Sequence, residues 1–250
     1  MTDRISGSVF KQMVLFGAAC ITLEREAIND LNVFPVPDGD TGTNMSLTIQ
    51  TAANELKKNQ PVTVSDAASI TASALLRGAR GNSGVILSLL FRGVSKYLKG
   101  EEEADGVQLA GALKEGVTTA YSAVMKPAEG TVLTVSRLAA DRAAEAAEEC
   151  NSVEYVLQEA IRKGLETLDK TIEMNPVLKK AGVVDAGGKG YLVILDGMLR
   201  ALRGEEIPDV SEEKAESKAD FSALSEEEIT FTFDTVFIVR KWETTSIEPL

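Results

Sequence analysis

Leu31-Asn-Val-Phe-Pro-Val-Pro-Asp38-Gly-Asp40-Thr-Gly-Thr-Asn44-Met45 decides how this chain is read, because it sets two carboxylates on a stiff turn directly ahead of a run with helical spacing. Pro35 and Pro37 hold φ near −65° and keep the approach extended, while Gly39 and Gly42 allow backbone angles and close approaches that a side chain obstructs. The apolar positions of Met45 to Leu56 recur at helical intervals, so a helix is expected to follow the turn. Its first N–H groups and positive dipole end favour an anion. Mg²⁺ takes one or two protein carboxylates and leaves its other positions to water and phosphate, a demand that Asp38 and Asp40 meet, with Asn32 able to add a neutral oxygen. Residue types alone leave two readings, since Asp-Gly and Thr-Gly are also ordinary material for a capped surface turn.

Two further loops repeat the same logic. Gly78-Ala-Arg-Gly81-Asn82-Ser83-Gly84 lies between the helical patterns Ser65 to Arg77 and Val85 to Leu98, and its amides and the Ser83 hydroxyl suit phosphate oxygens. Gly182-Val-Val-Asp185-Ala-Gly187-Gly188-Lys189-Gly190 precedes the apolar pattern Tyr191 to Leu202. Each loop alone is weak, because glycine is also the usual residue just past a helix end.

Known motifs fail on inspection. A P-loop ending at Gly188-Lys189 would need glycine at Val183 and a hydroxyl at Gly190. An EF-hand loop from Asp38 would need glycine at Thr43 and glutamate at Ile49. No strand precedes the glycines, so the dinucleotide βαβ unit is absent as well.

Asn32 to Met45, Gly78 to Gly84, Glu129-Gly-Thr-Val-Leu-Thr134 and Val184 to Gly190 together resemble the nucleotide-binding domain of the dihydroxyacetone kinase family (the DAK2 or DhaL type). More narrowly, they resemble the N-terminal domain of the bacterial fatty acid kinases. The resemblance covers roughly residues 1–204 and implies an all-α fold, a closed antiparallel barrel of about eight helices, with ATP or ADP and two Mg²⁺ ions at one end. It makes Asp38 and Asp40 the catalytic metal ligands and Asn32 a further ligand, at a position where the sugar kinases carry aspartate. Thr41, Gly42, Thr43, Asn44, Asn82, Ser83 and Gly84 correspond to nucleotide contacts, Asn44, Asn82 and Ser83 to the phosphates. Thr131 corresponds to a nucleotide contact before a helix, and Asp185 with Gly187 to the loop near the base or ribose. Thr41 stands where the sugar kinases have histidine, as in the fatty acid type.

The remaining chain fits an α-rich body. Ile5 to Ile28, Val107 to Met125, Val132 to Glu149 and Val153 to Ile172 carry apolar residues at i, i+3, i+4, with Ala and Glu between them. Met13, Leu15, Phe16 and Ile21 are read as core, and Glu145, Glu148 and Glu149 as a solvated face. With 250 residues, 44% of them hydrophobic, the chain can bury a domain core.

There is no histidine among the 250 residues, which excludes a Ser-His-Asp triad, a His-dependent zinc site and covalent capture of a ketone on imidazole. Cys20 and Cys150 lack CxxC spacing and are read as free thiols of a cytoplasmic protein. No run of about 18 apolar residues occurs, so membrane insertion is not expected. The net charge of −12 is uneven: Glu205 to Glu228 holds ten acidic residues against two lysines, leaving the body at −4. Residues 205–228 read as an acidic linker, and nucleic acid binding lacks the basic face it needs. Ile229 to Arg240 then alternates with period two and reads as a β-strand, the start of a following domain at 229–250. In the fatty acid kinases that domain has cysteine where Asp234 stands, and the resemblance implies a shortened chain.

Phosphoryl transfer to a fatty acid is the function expected, with the acceptor presented by a separate fatty-acid-binding protein of the DegV type; a homodimer of the chain is compatible with the resemblance. A small-ketone kinase subunit and a non-catalytic nucleotide-binding regulatory module are the alternatives.

Overall fold

The computed structural model describes residues 2–210, and ten helices account for most of them. They are α1 (Gly7–Leu23), α2 (Arg25–Asn29), α3 (Thr41–Lys58), α4 (Val64–Gly78), α5 (Gly81–Tyr97), α6 (Gly106–Ala123), α7 (Val132–Glu149), α8 (Val153–Met174), α9 (Pro176–Ala181) and α10 (Ala186–Leu202). β1 (Arg4–Ile5) and β2 (Ala104–Asp105) form a two-residue antiparallel pair with Ile5 opposite Ala104. The fold is all-α, as the spacing of apolar residues requires.

Eight long helices pack in a ring. Each of α3 to α8 lies against its sequence neighbour, α10 packs on α8, and α1 fills the place between α10 and α3. The short connections make these neighbours antiparallel, so every second loop falls at the same end. One end carries residues 24–40, 79–80, 124–131 and 175–185; the other carries 2–6, 59–63, 98–105, 150–152 and 203–210. All four sequence motifs therefore converge on the first end.

The seam that closes the ring depends on small residues. A Cβ at Gly197 would lie 2.7 Å from the Gly17 Cα, and one at Gly17 would lie 2.9 Å from the Ile194 carbonyl oxygen. α1 and α10 thus meet backbone to backbone. Phe10, Met13, Phe16, Ile21, Met45, Ile49, Leu75 and Leu87 are fully buried in the core that this ring encloses. Burying a side chain of that size stabilises by about 1.5–3 kcal/mol.

The sequence-based boundaries shift in three places. The expected helix from Ile5 to Ile28 is broken at Glu24, whose φ of −93° and ψ of 7° end α1 and start the short α2. α3 begins at Thr41, four residues before the first periodic apolar position. α9 was not anticipated; it opens on Pro176 with Asn175 as its cap and ends at Gly182 in the left-handed conformation. The acidic linker lies beyond residue 210 for most of its length, and the expected strand at 229–250 lies wholly outside the described residues. Among the described residues no helix is long and apolar enough to cross a membrane.

Candidate functional site

At the motif-bearing end the loops enclose a cavity of about 510 Å³, within the range of small-molecule sites. Asp38, Asp40, Asn44, Asn82, Ser83, Lys126, Thr131, Asp185 and Gly187 line it, together with Asn32 and Thr41. Val36, Val85, Ile86, Val124, Val132 and Leu133 supply apolar wall. Apolar wall beside polar and charged groups suits a ligand with a ring at one end and charge at the other.

The carboxylates sit where the turn and α3 meet. Asn32 is buried and its amide nitrogen donates to Asp38 Oδ1 at 2.5 Å and to the Val36 carbonyl at 3.2 Å, while its Oδ1 accepts from the Thr41 hydroxyl at 2.7 Å. Reversing this amide would set its oxygen against two acceptors, so the orientation is fixed. Asn32 therefore orients Asp38, and its oxygen is committed to Thr41. Partial burial raises the Asp40 carboxyl above its ordinary value; the Asn44 amide lowers it in part, and the negative charge of Asp38 raises it again. The charge of Asp38 thus disfavours ionisation of Asp40, a penalty that a nearby cation would relieve.

Helix starts at this end differ in whether they are already capped. Thr131 caps α7 through its hydroxyl to the Leu133 N–H, and Asp185 caps α10 by accepting from the Gly188 N–H at 2.7 Å. Neither Asp40 at α3 nor Arg80 at α5 provides a side-chain cap. At α3 the Asn29 side chain takes the Thr43 N–H at 3.1 Å and donates to the Thr43 hydroxyl at 3.0 Å. At α5 the N–H groups of Gly81, Asn82 and Ser83 have no acceptor among the described residues, and the first helical bond runs from Gly84 to the Arg80 carbonyl. The open donors beside Asp38 and Asp40 belong chiefly to α5.

Gly81 makes that geometry possible. Its φ is +57°, and a Cβ there would lie 2.3 Å from the Asn44 amide nitrogen, the group that donates to Asp40. Glycine is thus required both by backbone angle and by space.

Asp185 is almost wholly buried and takes hydrogen bonds from the Gly188 and Val132 N–H groups, so it brackets the starts of α7 and α10. Burial pushes its carboxyl up to about 6 against the lowering by those two donors. The Thr171 hydroxyl accepts from the Asp185 N–H at 3.1 Å and fixes the loop further.

Most sequence-derived site residues are brought together on this wall, but three are not. Gly42 packs under α2, where a Cβ would lie 2.2 Å from the Arg25 carbonyl oxygen. Thr43 is tied to Asn29, and Gly84 packs against Thr48. These positions shape the floor from behind instead of facing the cavity. Sequence reasoning missed Lys126 on the wall and the cluster behind it, in which Glu129 accepts from Thr134 at 2.7 Å and Arg137 at 2.9 Å. The Glu129 to Thr134 segment carried the signal for that cluster, whereas a single lysine in a loop carries none.

Comparison with known proteins places the geometry in a family context. The DAK2 domain matches residues 35–200 of the chain. Protein YloV of Bacillus subtilis is 42% identical over 246 residues, spanning 94% of this chain and 44% of that protein. An uncharacterised protein of Staphylococcus saprophyticus is 41% identical, spanning 96% of this chain and 45% of its own length. The chain thus spans less than half the length of the curated relatives it matches. Among solved structures, the dihydroxyacetone kinase from C. freundii in complex with AMP-PNP and Mg²⁺ superposes with a TM-score of 0.59 at 17% identity, over 80% of this chain and 35% of that one. The native form of that kinase gives a TM-score of 0.57 at 18% identity, with 80% and 36% coverage. At such identity the likeness is one of fold.

Proposed function

This chain belongs to the DAK2 domain family, and from that premise we propose that it is the nucleotide-binding part of a fatty acid kinase, transferring the γ-phosphoryl group of ATP to a fatty acid carboxylate. The observation that carries this reading is the convergence of Asp38, Asp40 and the open start of α5 in one cavity. The solved relative in fold binds AMP-PNP and Mg²⁺, the ligand pair that such a site would take.

Asp38 and Asp40 would hold the cation, with Asn32 keeping Asp38 in place. Two carboxylates would leave the remaining positions of such an ion to phosphate oxygens and water. When bound, Mg²⁺ supplies charge neutralisation across the phosphates. The Gly81, Asn82 and Ser83 N–H groups orient the phosphate chain, and the apolar wall of Val132 and Leu133 with Asp185 behind it receives the nucleoside end. Prearranged donors of this kind cost little reorganisation during transfer.

The acceptor would arrive as a fatty acid on a separate lipid-binding protein of the DegV type and leave as an acyl phosphate, in a cytoplasmic setting. A small hydroxyketone is the second reading, favoured by the fold of the C. freundii enzyme. With no histidine in the sequence, such a ketone would have to be bound without an imidazole adduct on this chain.

Calorimetric titration of ATP and ADP, with Mg²⁺ and with EDTA, tests the site. Binding that requires both Mg²⁺ and Asp40 supports the reading, and metal-independent binding or none overturns it. Acyl phosphate formation with the lipid-binding protein added then separates the fatty acid acceptor from the ketone.

A further inference from the structure

Four charged side chains line the cavity, and only one is positive. Asp38, Asp40 and Asp185 face it as carboxylates, and Lys126 is the single cation of the lining among the described residues. Of the other basic groups at this end, Lys189 pairs with Glu24 at 3.2 Å, Arg137 with Glu129 at 2.9 Å and Arg25 with Glu26 at 2.8 Å, while Arg80, Lys179 and Lys180 lie outside the cavity lining. Lys126 has neither ion pair nor hydrogen bond among the described residues and is exposed.

Its loop is nonetheless held in place. The segment leaves α6, which packs along α5, and Val124 joins Val85 and Ile86 on the cavity wall. Downstream, Glu129 is anchored to Thr134 and Arg137, the Gly130 N–H donates to the Thr134 hydroxyl at 2.9 Å, and Arg137 Nε donates to the Tyr121 hydroxyl at 3.1 Å. A tethered loop therefore carries an uncommitted ammonium on the lining of the cavity that the open start of α5 also lines.

Resting on the nucleotide site inferred above, we propose that Lys126 is a catalytic residue whose ammonium contacts the terminal phosphate of the bound nucleotide. In the transfer, the bond from the γ-phosphorus to the bridging oxygen breaks, and ADP leaves with that electron pair. A bond forms from an acceptor carboxylate oxygen to the same phosphorus. Lys126 neither gains nor loses a proton; it offsets negative charge on the equatorial oxygens, a role that a flexible point charge can follow.

Calorimetry on the 250-residue chain with Mg²⁺ tests this through the difference between AMP-PNP and ADP. Lys126→Ala should weaken AMP-PNP binding about tenfold, the scale of one charged hydrogen bond, and leave ADP within twofold. Lys126→Arg should restore most of the loss. Unchanged binding of both nucleotides overturns the proposal, and so does an equal loss for both, which would place Lys126 against the shared part of the nucleotide or in a structural role. If the wild type binds neither nucleotide, the underlying site reading itself fails, a result that needs no variant to recognise.

Discussion

The two ends of the helix ring are built from the same kind of short connection, yet they treat helix starts differently. At the end remote from the cavity, Ser6 caps α1, Thr63 caps α4 and Asp105 forms a reciprocal capping box with Gln108 at α6. α8 starts there without a side-chain cap from Ser152, but its Glu154 N–H donates to the Thr2 carbonyl at 3.2 Å, so these starts draw acceptors from within the chain. At the cavity end, α7 and α10 are capped by Thr131 and Asp185, whereas α5 keeps three donors open beside two mutually repelling carboxylates. An uncapped start forgoes roughly 1 kcal/mol of stability. The contrast teaches that the same element serves stability at one end and is left available for a ligand at the other.

The sharpest break of this contrast is Asp40→Ala. Loss of the cation seat should reduce Mg²⁺-dependent nucleotide affinity by about 100-fold or more, while helix content and melting stay nearly unchanged because a repulsion is removed with the charge. Calorimetry with a parallel melting curve checks both halves, and unfolding of the variant would make the aspartate structural.

Gly81→Ala comes next. A methyl group at φ +57° strains the backbone by about 1–2 kcal/mol and displaces the Asn44 amide from Asp40. Nucleotide affinity should fall about tenfold, and melting should drop by a few degrees.

Asp185 sharpens the comparison through pH. Its carboxyl lies at about 6 in the folded chain against an ordinary value of 3.8, so the folded state holds this proton more tightly than the unfolded state does. The stability it contributes is complete below about pH 4 and is lost as pH rises through about 6. Relative to Asp185→Asn, the wild type should therefore lose on the order of 2 kcal/mol between pH 4 and pH 7, read as a widening gap in melting temperature. A gap that stays constant across this window would mean the buried carboxylate is solvated or paired when the chain is folded.

The smallest effect belongs to the far end. Asp105→Ala removes a capping box and should cost about 1 kcal/mol, or 2–4 °C in melting temperature, with nucleotide affinity unchanged. A change in affinity there would erase the division of labour between the ends.

The sequence made much of the site legible because its chemistry is local. Two aspartates separated by one glycine, and Asn82-Ser83 ahead of a helix, face one cavity as their spacing implied. Packing decided the rest. Gly42, Thr43 and Gly84 belong to the same motifs but lie behind the wall, since whether a motif residue faces ligand or a neighbouring helix depends on the ring, not on the turn. Asn32 was legible as a polar neighbour of the carboxylates; that its amide holds Asp38 and its oxygen is taken by Thr41 follows from contacts across nine residues.

By itself, then, the sequence determined an all-α body with its helix periods, the glycine-bearing turns ahead of α3, α5 and α10, and the chemistry of the two carboxylates, because each depends on residues within a few turns of one another. Only the tertiary structure decided that alternate loops share one end, which helix starts remain uncapped, and that Lys126 lines the same cavity as Asp40. Those outcomes arise from closing α1 against α10 through Gly17 and Gly197, a contact between segments about 180 residues apart that no local pattern encodes.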